Sequence, residues 1–442
     1  MTPATIRKTF HSVLAQAEKD IHQYVHNPGA DMTRHRRCSF SDTVQLTLNL
    51  TSSRMNTELL NYFSIKNKPI PSKSAFTQQR KKLNAEFFPH LLEATNESFL
   101  FKKTYKGYPL VAVDGSDINL PTDKNDSVYC VKQARSDNYY YQMHLNALLD
   151  ICENRYVSAI VQPRPKMDEK QAFCQMISNY HGSEKTIFIA DRGYISYNLL
   201  AFLLERNKLF LIRAKTPDSC GGLLNGLLSK NVEADITASI AFSRSSKNLR
   251  NQKADKCVKL RNDRAFDPIL PGDRKKIYIM TLRCVCIKLD NDNYEYLVTN
   301  LPTDTFSPTD LKQLYWKRWS IETSFRSLKY ALALTSLHSV NRELIIQEIY
   351  AKMIMYNLTS LLHSYAQDCR ELLKQTRQTK HKYKVSFDDT APIVRLMFLQ
   401  RMSNQKVKAL LLRHLSVVQE KSPNTVPRRV RSQSVNPLNN RA

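Results

Sequence analysis

The sequence predicts an α/β protein: a sheet core interrupted by a β-rich insertion and flanked by helical N- and C-terminal regions. Three observations carry this. From Tyr108 to Ala214 the order reads strand, strand, strand, helix, strand, helix, strand. From about 216 to 293 the pattern changes to short alternating runs such as VKLR at 258–261 and KIYIMTLRCVCIKL at 276–289. Both ends of the chain carry apolar residues at helical spacing instead. The division expected is 1–105, helical and basic; 106–215 plus 294–366, a discontinuous core; 216–293, the insertion; and 367–442, a helical C-terminal region with a basic tail. A long insertion in a loop costs little closure entropy, so a core split in sequence is no obstacle.

In the N-terminal region, Ile6 to Val25 is an amphipathic helix candidate that Asn27-Pro28-Gly29 ends. A basic cluster follows, Arg34, His35, Arg36 and Arg37. Ser53 to Phe63 and a turn through Lys68-Pro69-Ile70-Pro71 lead to a helix opening at Ser72 or Ser74. Ala75, Phe76 and Leu83 can pack inward, while Thr77, Gln78, Gln79, Arg80, Lys81 and Lys82 carry groups that read or grip DNA. Two readings of 40–83 remain open, a helix-turn-helix-like DNA module and a generic basic bundle.

The run YPLVAV at 108–113 is short and continuously apolar, as a buried strand requires, and it ends in Asp114-Gly115-Ser116-Asp117. Tyr139 to Leu149 and Arg155 to Val161 form a hairpin around 150–154. A helix at Met167 to Tyr180 precedes a second buried strand, Thr186 to Ala190, which ends in Asp191. Ser196 to Asn207 is helix and Leu209 to Ala214 strand. Parallel strands joined by helices bring their carboxyl ends to one edge, so Asp114 and Asp191 can meet. One aspartate after a strand is ordinarily a turn former; two followed by a suitable glutamate ask for more.

That glutamate lies in LKQLYWKRWSIETSFRSLKYALAL, Leu311 to Leu334, where the absence of Gly and Pro predicts one long helix. Ser307-Pro308 and Asp310 supply its N-terminal signals. At about 100° per residue, Arg318, Glu322 and Lys329 fall within roughly 60° of Tyr315. Leu314, Ile321, Phe325, Leu328 and Leu332 form an apolar stripe beside them. A carboxylate flanked by a phenol and two cations suits a metal-dependent phosphodiester site, although such a stripe by itself also describes a solvated face. Beyond it, Arg342 to Tyr365 is a long helix with Ile345, Ile349, Met353 and Leu358 inward. Lys374, Arg377, Lys380, Lys382 and Lys384 form a basic linker, and Thr390 to Gln419 reads helical with a break near Ser403-Asn404. The tail after Lys421, with Pro423, Pro427, Arg428, Arg429 and Arg431, contains no acid and is expected to order only on a partner.

Lys plus Arg number 66 against 40 Asp plus Glu, a formal charge of +26, which points to a polyanionic partner. Nine cysteines without a CxxC pair argue against a zinc site or a disulfide framework and for a reducing, cytoplasmic setting. No leader and no apolar run of 18 residues is seen, so no membrane partner is expected. With no GxGxxG or P-loop, no nucleotide cofactor is expected either.

Three blocks together resemble the DDE transposases of bacterial insertion sequences, in the insertion-sequence-four group. They are VAVDGSDI with Asp114, IFIADRGY with Asp191, and Tyr315-x2-Arg318-x3-Glu322-x6-Lys329, which fits that group's Y-R-E-K signature at every spacing. The likeness covers roughly residues 70 to 365. It implies a ribonuclease H-like (retroviral integrase-like) core and cut-and-paste transposition: binding of terminal inverted repeats, cleavage at the transposon ends and strand transfer. It further implies that Asp114, Asp191 and Glu322 bind two Mg²⁺ ions per site, with Mn²⁺ substituting. Tyr315, Arg318 and Lys329 would hold phosphates of double-stranded DNA, and a homodimer would form the synaptic complex. Relatives often set an aromatic residue of the insertion against a flipped base. Here both tryptophans, Trp316 and Trp319, lie beside Glu322 instead, so that role is open. A catalytically silent DNA-binding protein and a nuclease without strand transfer are the competing readings.

Overall fold

A computed structural model describes residues 1–33, 37–132, 138–289, 292–374 and 383–417. The cluster residues Arg34, His35 and Arg36, the linker residues Arg377, Lys380 and Lys382, and the tail after Lys421 lie outside these.

Five helices come first: α1 (Pro3–Lys19), α2 (Phe40–Asn49), α3 (Met55–Ile65), α4 (Lys73–Arg80) and α5 (Phe87–Ser98). Thr2 caps α1 and Pro3 occupies its first turn. The helix stops at Lys19, short of the expected Val25, which instead forms a bridge with Leu83. Ser39 and Asp42 close a reciprocal capping box on α2, and Ser72 rather than Ser74 caps α4. The helix α5, whose Phe87, Phe88, Leu91 and Leu92 are buried, lies beyond the elements expected in this region.

Among the described residues the sheet has ten strands: β1 (Leu110–Asn119), β2 (Cys130–Lys132), β3 (Tyr139–Asp150), β4 (Arg155–Pro163), β5 (Ile187–Ala190), β6 (Leu209–Arg213), β7 (Ala234–Ser243), β8 (Lys256–Lys259), β9 (Ile277–Lys288) and β10 (Tyr294–Thr299). Their order is β2-β3-β1-β5-β6-β10-β9-β7-β8, with β4 also on β3. The neighbours β1–β3 and β3–β4 are antiparallel, whereas β1–β5 and β5–β6 are parallel. The parallel pairs are joined through α6 (Glu169–Ser178) and α7 (Tyr197–Glu205). The strands of 216–293, with the short helix α8 (Ser246–Arg250), extend this same sheet: β10 pairs with β6 on one side and β9 on the other.

Both faces of the core are covered, which explains the continuous apolar run at the start of β1. Ala112 and Ile118 face a cluster containing Ile321, Phe325 and Leu328. Val111 and Val113 face Phe173 and Met176 of α6. The sheet is followed first by α9 (Pro308–Lys317), α10 (Trp319–Lys329) and α11 (Arg342–Lys374). The single helix expected over Leu311–Leu334 is therefore two. At the junction the amides of Arg318 and Ile321 bond to carbonyls three residues back, a tightened turn that ends one helix and begins the next. Leu332 lies past the end of α10, where Ala333 turns with φ +60°.

The helix α11 is longer than expected and packs against α2, α5, β4 and α12 (Phe387–Leu399). It is buried around its circumference, including Gln347, Glu348, Lys352 and Asn357. The stretch from Thr390, read as helical with a break near Ser403-Asn404, is α12, which begins at Phe387 under a Ser386 cap, and α13 (Asn404–Arg413) under a Ser403 cap, so the break falls where expected. The ribbon β11 (Tyr383–Val385) with β12 (Leu415–Val417) closes the described chain.

Candidate active site

The parallel β1–β5 register pairs Ala112 with Ile189. Asp114 and Asp191 each lie two residues further on, side by side at one edge. Asp191 follows the last residue of its strand, as expected. Asp114 does not end a strand: β1 continues to Asn119 because β3 pairs with it all the way, Asp114 opposite Ala147.

Glu322 sits in the first turn of α10, and two neighbours bond to the three carboxylates. The Tyr315 hydroxyl donates to Asp191 Oδ1 at 3.0 Å. Arg318 donates from Nη1 to Asp114 Oδ2 at 3.2 Å and from Nη2 to Glu322 Oε1 at 2.7 Å. Tyr315 and Arg318 are buried, whereas the Glu322 side chain is 40% exposed. Lys329 is half-buried, and burial lowers its pKa against the pull of Asp117. Two bonded sets, Asp191 with Tyr315 and Asp114 with Glu322 through Arg318, thus lie beside each other, with the Arg318 guanidinium 5.7 Å from the Tyr315 ring centroid, although they come from three separate stretches of sequence.

The electrostatics follow from this crowding. Burial pushes the Asp114 carboxyl up to about 6; Gly115 N–H and Arg318 pull it down, and Glu322 and Asp191 push it up again. Burial works against the charge on Arg318, but Tyr315, Glu322 and Asp114 outweigh it and raise its pKa. Burial also holds the Tyr315 phenol protonated. Among the described residues no three His, Cys, Asp or Glu side chains stand ready to share an ion. Around Asp114 and Glu322 the physical reason is visible: a guanidinium lies between the two carboxylates.

The N-terminal candidates separate. Arg80 is not on the surface, where the expected DNA contact would need it, but is 1% exposed, 2.9 Å from Glu348 and bonded to the Leu344 carbonyl. The spacing Phe76, Arg80, Leu83 already puts it on the apolar stripe that α4 begins, and Glu348, buried within α11, is its partner. Gln79 is buried too, while Lys81 is exposed and Lys82 lies 3.9 Å from Asp31.

A cleft of about 1050 Å³ opens beside Asp191 between α6, α7 and the β7–β9 segment; Arg192, Arg206, Lys215 and Arg264 line it and are exposed. No local pattern marks it, because these cations are scattered over 73 positions and only the fold gathers them.

The Transposase DDE domain family matches residues 105–358, more than half of the chain, and the protein belongs to that family. No curated protein matches the sequence. Among solved structures, the chain is similar to a piggyBac transposase synaptic complex with hairpin DNA, with a TM-score of 0.43 and 9% identity over 96% of this chain and 87% of that one. A likeness at that level carries no further argument. No helix among the described residues is long and apolar enough to cross a membrane.

Proposed function

We propose that the protein is a cut-and-paste DNA transposase of the insertion-sequence-four group, acting at the paired terminal repeats of an insertion sequence. The observation that carries this is the convergence of Asp114, Asp191 and Glu322 on Arg318 and Tyr315. The strand order β4-β3-β1-β5-β6 supports a ribonuclease H-like core over 106–215 and 294–366, with 216–293 inserted between the second aspartate and the glutamate. The cleft beside Asp191, where Lys170, Arg192, Arg206, Lys215 and Arg264 outnumber Asp168, Glu205 and Asp267, and the charge of +26 support double-stranded DNA as partner. In this reading 1–105 grips the transposon end, with Lys81 and Lys82 still available, and 367–442 adds a basic C-terminal region. Two protomers meet in the synaptic complex because two ends must be joined, and the protein works in the cytoplasm, where the DNA is.

The donor set fits hard divalent cations, since all three groups are carboxylates. Asp114, Asp191 and Glu322 would hold two Mg²⁺ ions, or Mn²⁺, which supply a nucleophile at neutral pH and charge stabilisation at the phosphoryl oxygens. Arg318 and Tyr315 keep the acids converged until then and turn to DNA phosphate once released. Lys329 grips a phosphate nearby, and Trp316 and Trp319, 75% and 51% exposed, offer faces on which bases stack.

Incubation with Mg²⁺ and a DNA carrying paired terminal repeats tests the proposal. Cutting with joining supports it, cutting alone favours a simple nuclease, and no cutting favours a silent DNA binder. Two variants refine the roles. Lys329→Ala is expected to lower the slope of log affinity against log salt by about 1, because one phosphate fewer is neutralised; an unchanged slope removes the clamp role. Arg318→Ala is expected to raise Mn²⁺ affinity in the DNA-free protein about tenfold or more, as a competing cation worth one to three pKa units leaves the carboxylates, yet to slow cleavage. Weaker Mn²⁺ binding would contradict the placeholder role.

A further inference from the structure

The alternation of β1 sends Asp114 toward α10, and Gly115 and Asp117 toward α6. On that second face His144 stands opposite Asp117 in the β1–β3 register and is 4% exposed. Its Nδ1 lies 2.6 Å from Asp117 Oδ1 and its Nε2 3.1 Å from Glu169 Oε1, the first residue of α6. Arg164 Nε approaches Asp117 at 2.9 Å. The ring is pressed against the backbone of Gly115: a Cβ there would fall 2.2 Å from His144 Nε2 and 2.9 Å from Glu169 Oε1. The Gly115 N–H, in turn, donates to Asp114 Oδ1 at 2.9 Å.

The geometry points to His144 as a positioning residue for Asp114: clamped between Asp117 and Glu169, it fixes the backbone at Gly115, and that backbone fixes the Asp114 carboxylate. This rests on the reading of Asp114 as a catalytic carboxylate. The cluster is not a metal site, because the two ring nitrogens address different carboxylates in different directions and the donors share no common point. It is a charged lock. Burial works against the imidazolium, but the bond to Asp117 and the nearby charge of Glu169, whose oxygen lies 3.1 Å from Nε2 without hydrogen-bond geometry, outweigh it and raise its pKa to about 9. The other charged and titratable groups facing the cluster are Arg164, Lys329 across Asp117, and the buried Tyr194 phenol near Glu169. Glycine at 115 follows from the lock, since any side chain there meets the imidazole.

Mn²⁺ affinity of the DNA-free protein by electron paramagnetic resonance, affinity for the duplex end, and Mg²⁺-dependent cleavage across pH 7–10 test this in full-length protein. His144→Gln is expected to weaken Mn²⁺ binding and slow cleavage by roughly ten- to a hundredfold, as loss of a group supporting a metal ligand does, with duplex affinity unchanged. Wild-type cleavage is expected to fall above about pH 9 as the imidazolium is lost. Glu169→Gln removes one of its carboxylates and moves that fall to lower pH by roughly one unit or more. A fold-maintaining role alone would leave the pH of the fall where it was. If His144→Gln does not fold, the Glu169→Gln profile decides. Wild-type Mn²⁺ affinity and cleavage in His144→Gln, or an unmoved profile in Glu169→Gln, overturns the inference. If Asp114→Ala is inactive while His144→Gln is normal, only the positioning role fails; if Asp114→Ala still cuts, the underlying assignment fails.

Discussion

Asp114→Ala, Asp191→Ala and Glu322→Ala are each expected to cut transposon ends on the order of 10⁴-fold more slowly, the scale on which members of one catalytic unit fail together, while retaining DNA. The acids bind no DNA themselves; they would hold cations whose charge the reaction needs. Each loss should therefore appear in rate and not in affinity, and combining two substitutions should cost little beyond one. Stability gives an independent sign. The folded pKa of Asp114 is raised from 3.8 to about 6. Such a group contributes most below pH 4, and its contribution is lost as pH rises through 6, so at neutral pH the ionised acid is a burden. Asp114→Asn should thus melt no lower than wild type at pH 7, although it cannot cut. Wild-type rate in any of the three alanine variants removes that residue from the site. A lowered melting temperature in Asp114→Asn would show that its ion pair with Arg318 outweighs its desolvation.

What the sequence revealed of this site is what local pattern and chain order can carry. The buried runs before Asp114 and Asp191, the hairpin at 150–154 and the two crossover helices were all legible, and with them the parallel edge that sets the aspartates side by side. The Glu322 stripe was legible as composition but not as shape. The break at Arg318 involves no Gly or Pro, and only the three-dimensional pull of Asp114 and Glu322 on one guanidinium reveals its setting. The extent of β1 was misjudged because an aspartate looks like a stop, yet β3 supplies partners through Asn119. Long-range pairings were out of reach for the same reason. Nothing local says that β10 joins β6 to β9, or that His144 will lie under Gly115.

Arg80 shows how a cation on a basic helix can mislead, and its removal is expected to destabilise the fold more than any other substitution named above. Glu348 is 1% exposed and its carboxylate relies on Arg80, with the backbone N–H of His338 at 3.0 Å as further donor. Arg80→Ala leaves this charge buried without its cation, a loss of about 3–5 kcal/mol, and unfastens α4 from α11, because Arg80 also bonds Gln347 and the Leu344 carbonyl. Replacing both partners, Arg80→Met with Glu348→Leu, should cost much less, since no unpaired charge remains. The pH dependence carries a definite sign. Burial opposes the Glu348 charge, but Arg80 and His338 outweigh it and hold the carboxyl at about 2, below its ordinary 4.5. The stability this supplies is present above 4.5 and is lost as pH falls toward 2. The gap in unfolding free energy between wild type and Arg80→Ala, measured in urea, should therefore be wide at pH 7 and narrow as the pH drops through that window. A DNA-gripping arginine would behave in the opposite way: unchanged unfolding at every pH, with weaker and less salt-sensitive DNA binding. That result would return Arg80 to the surface role its sequence context suggests.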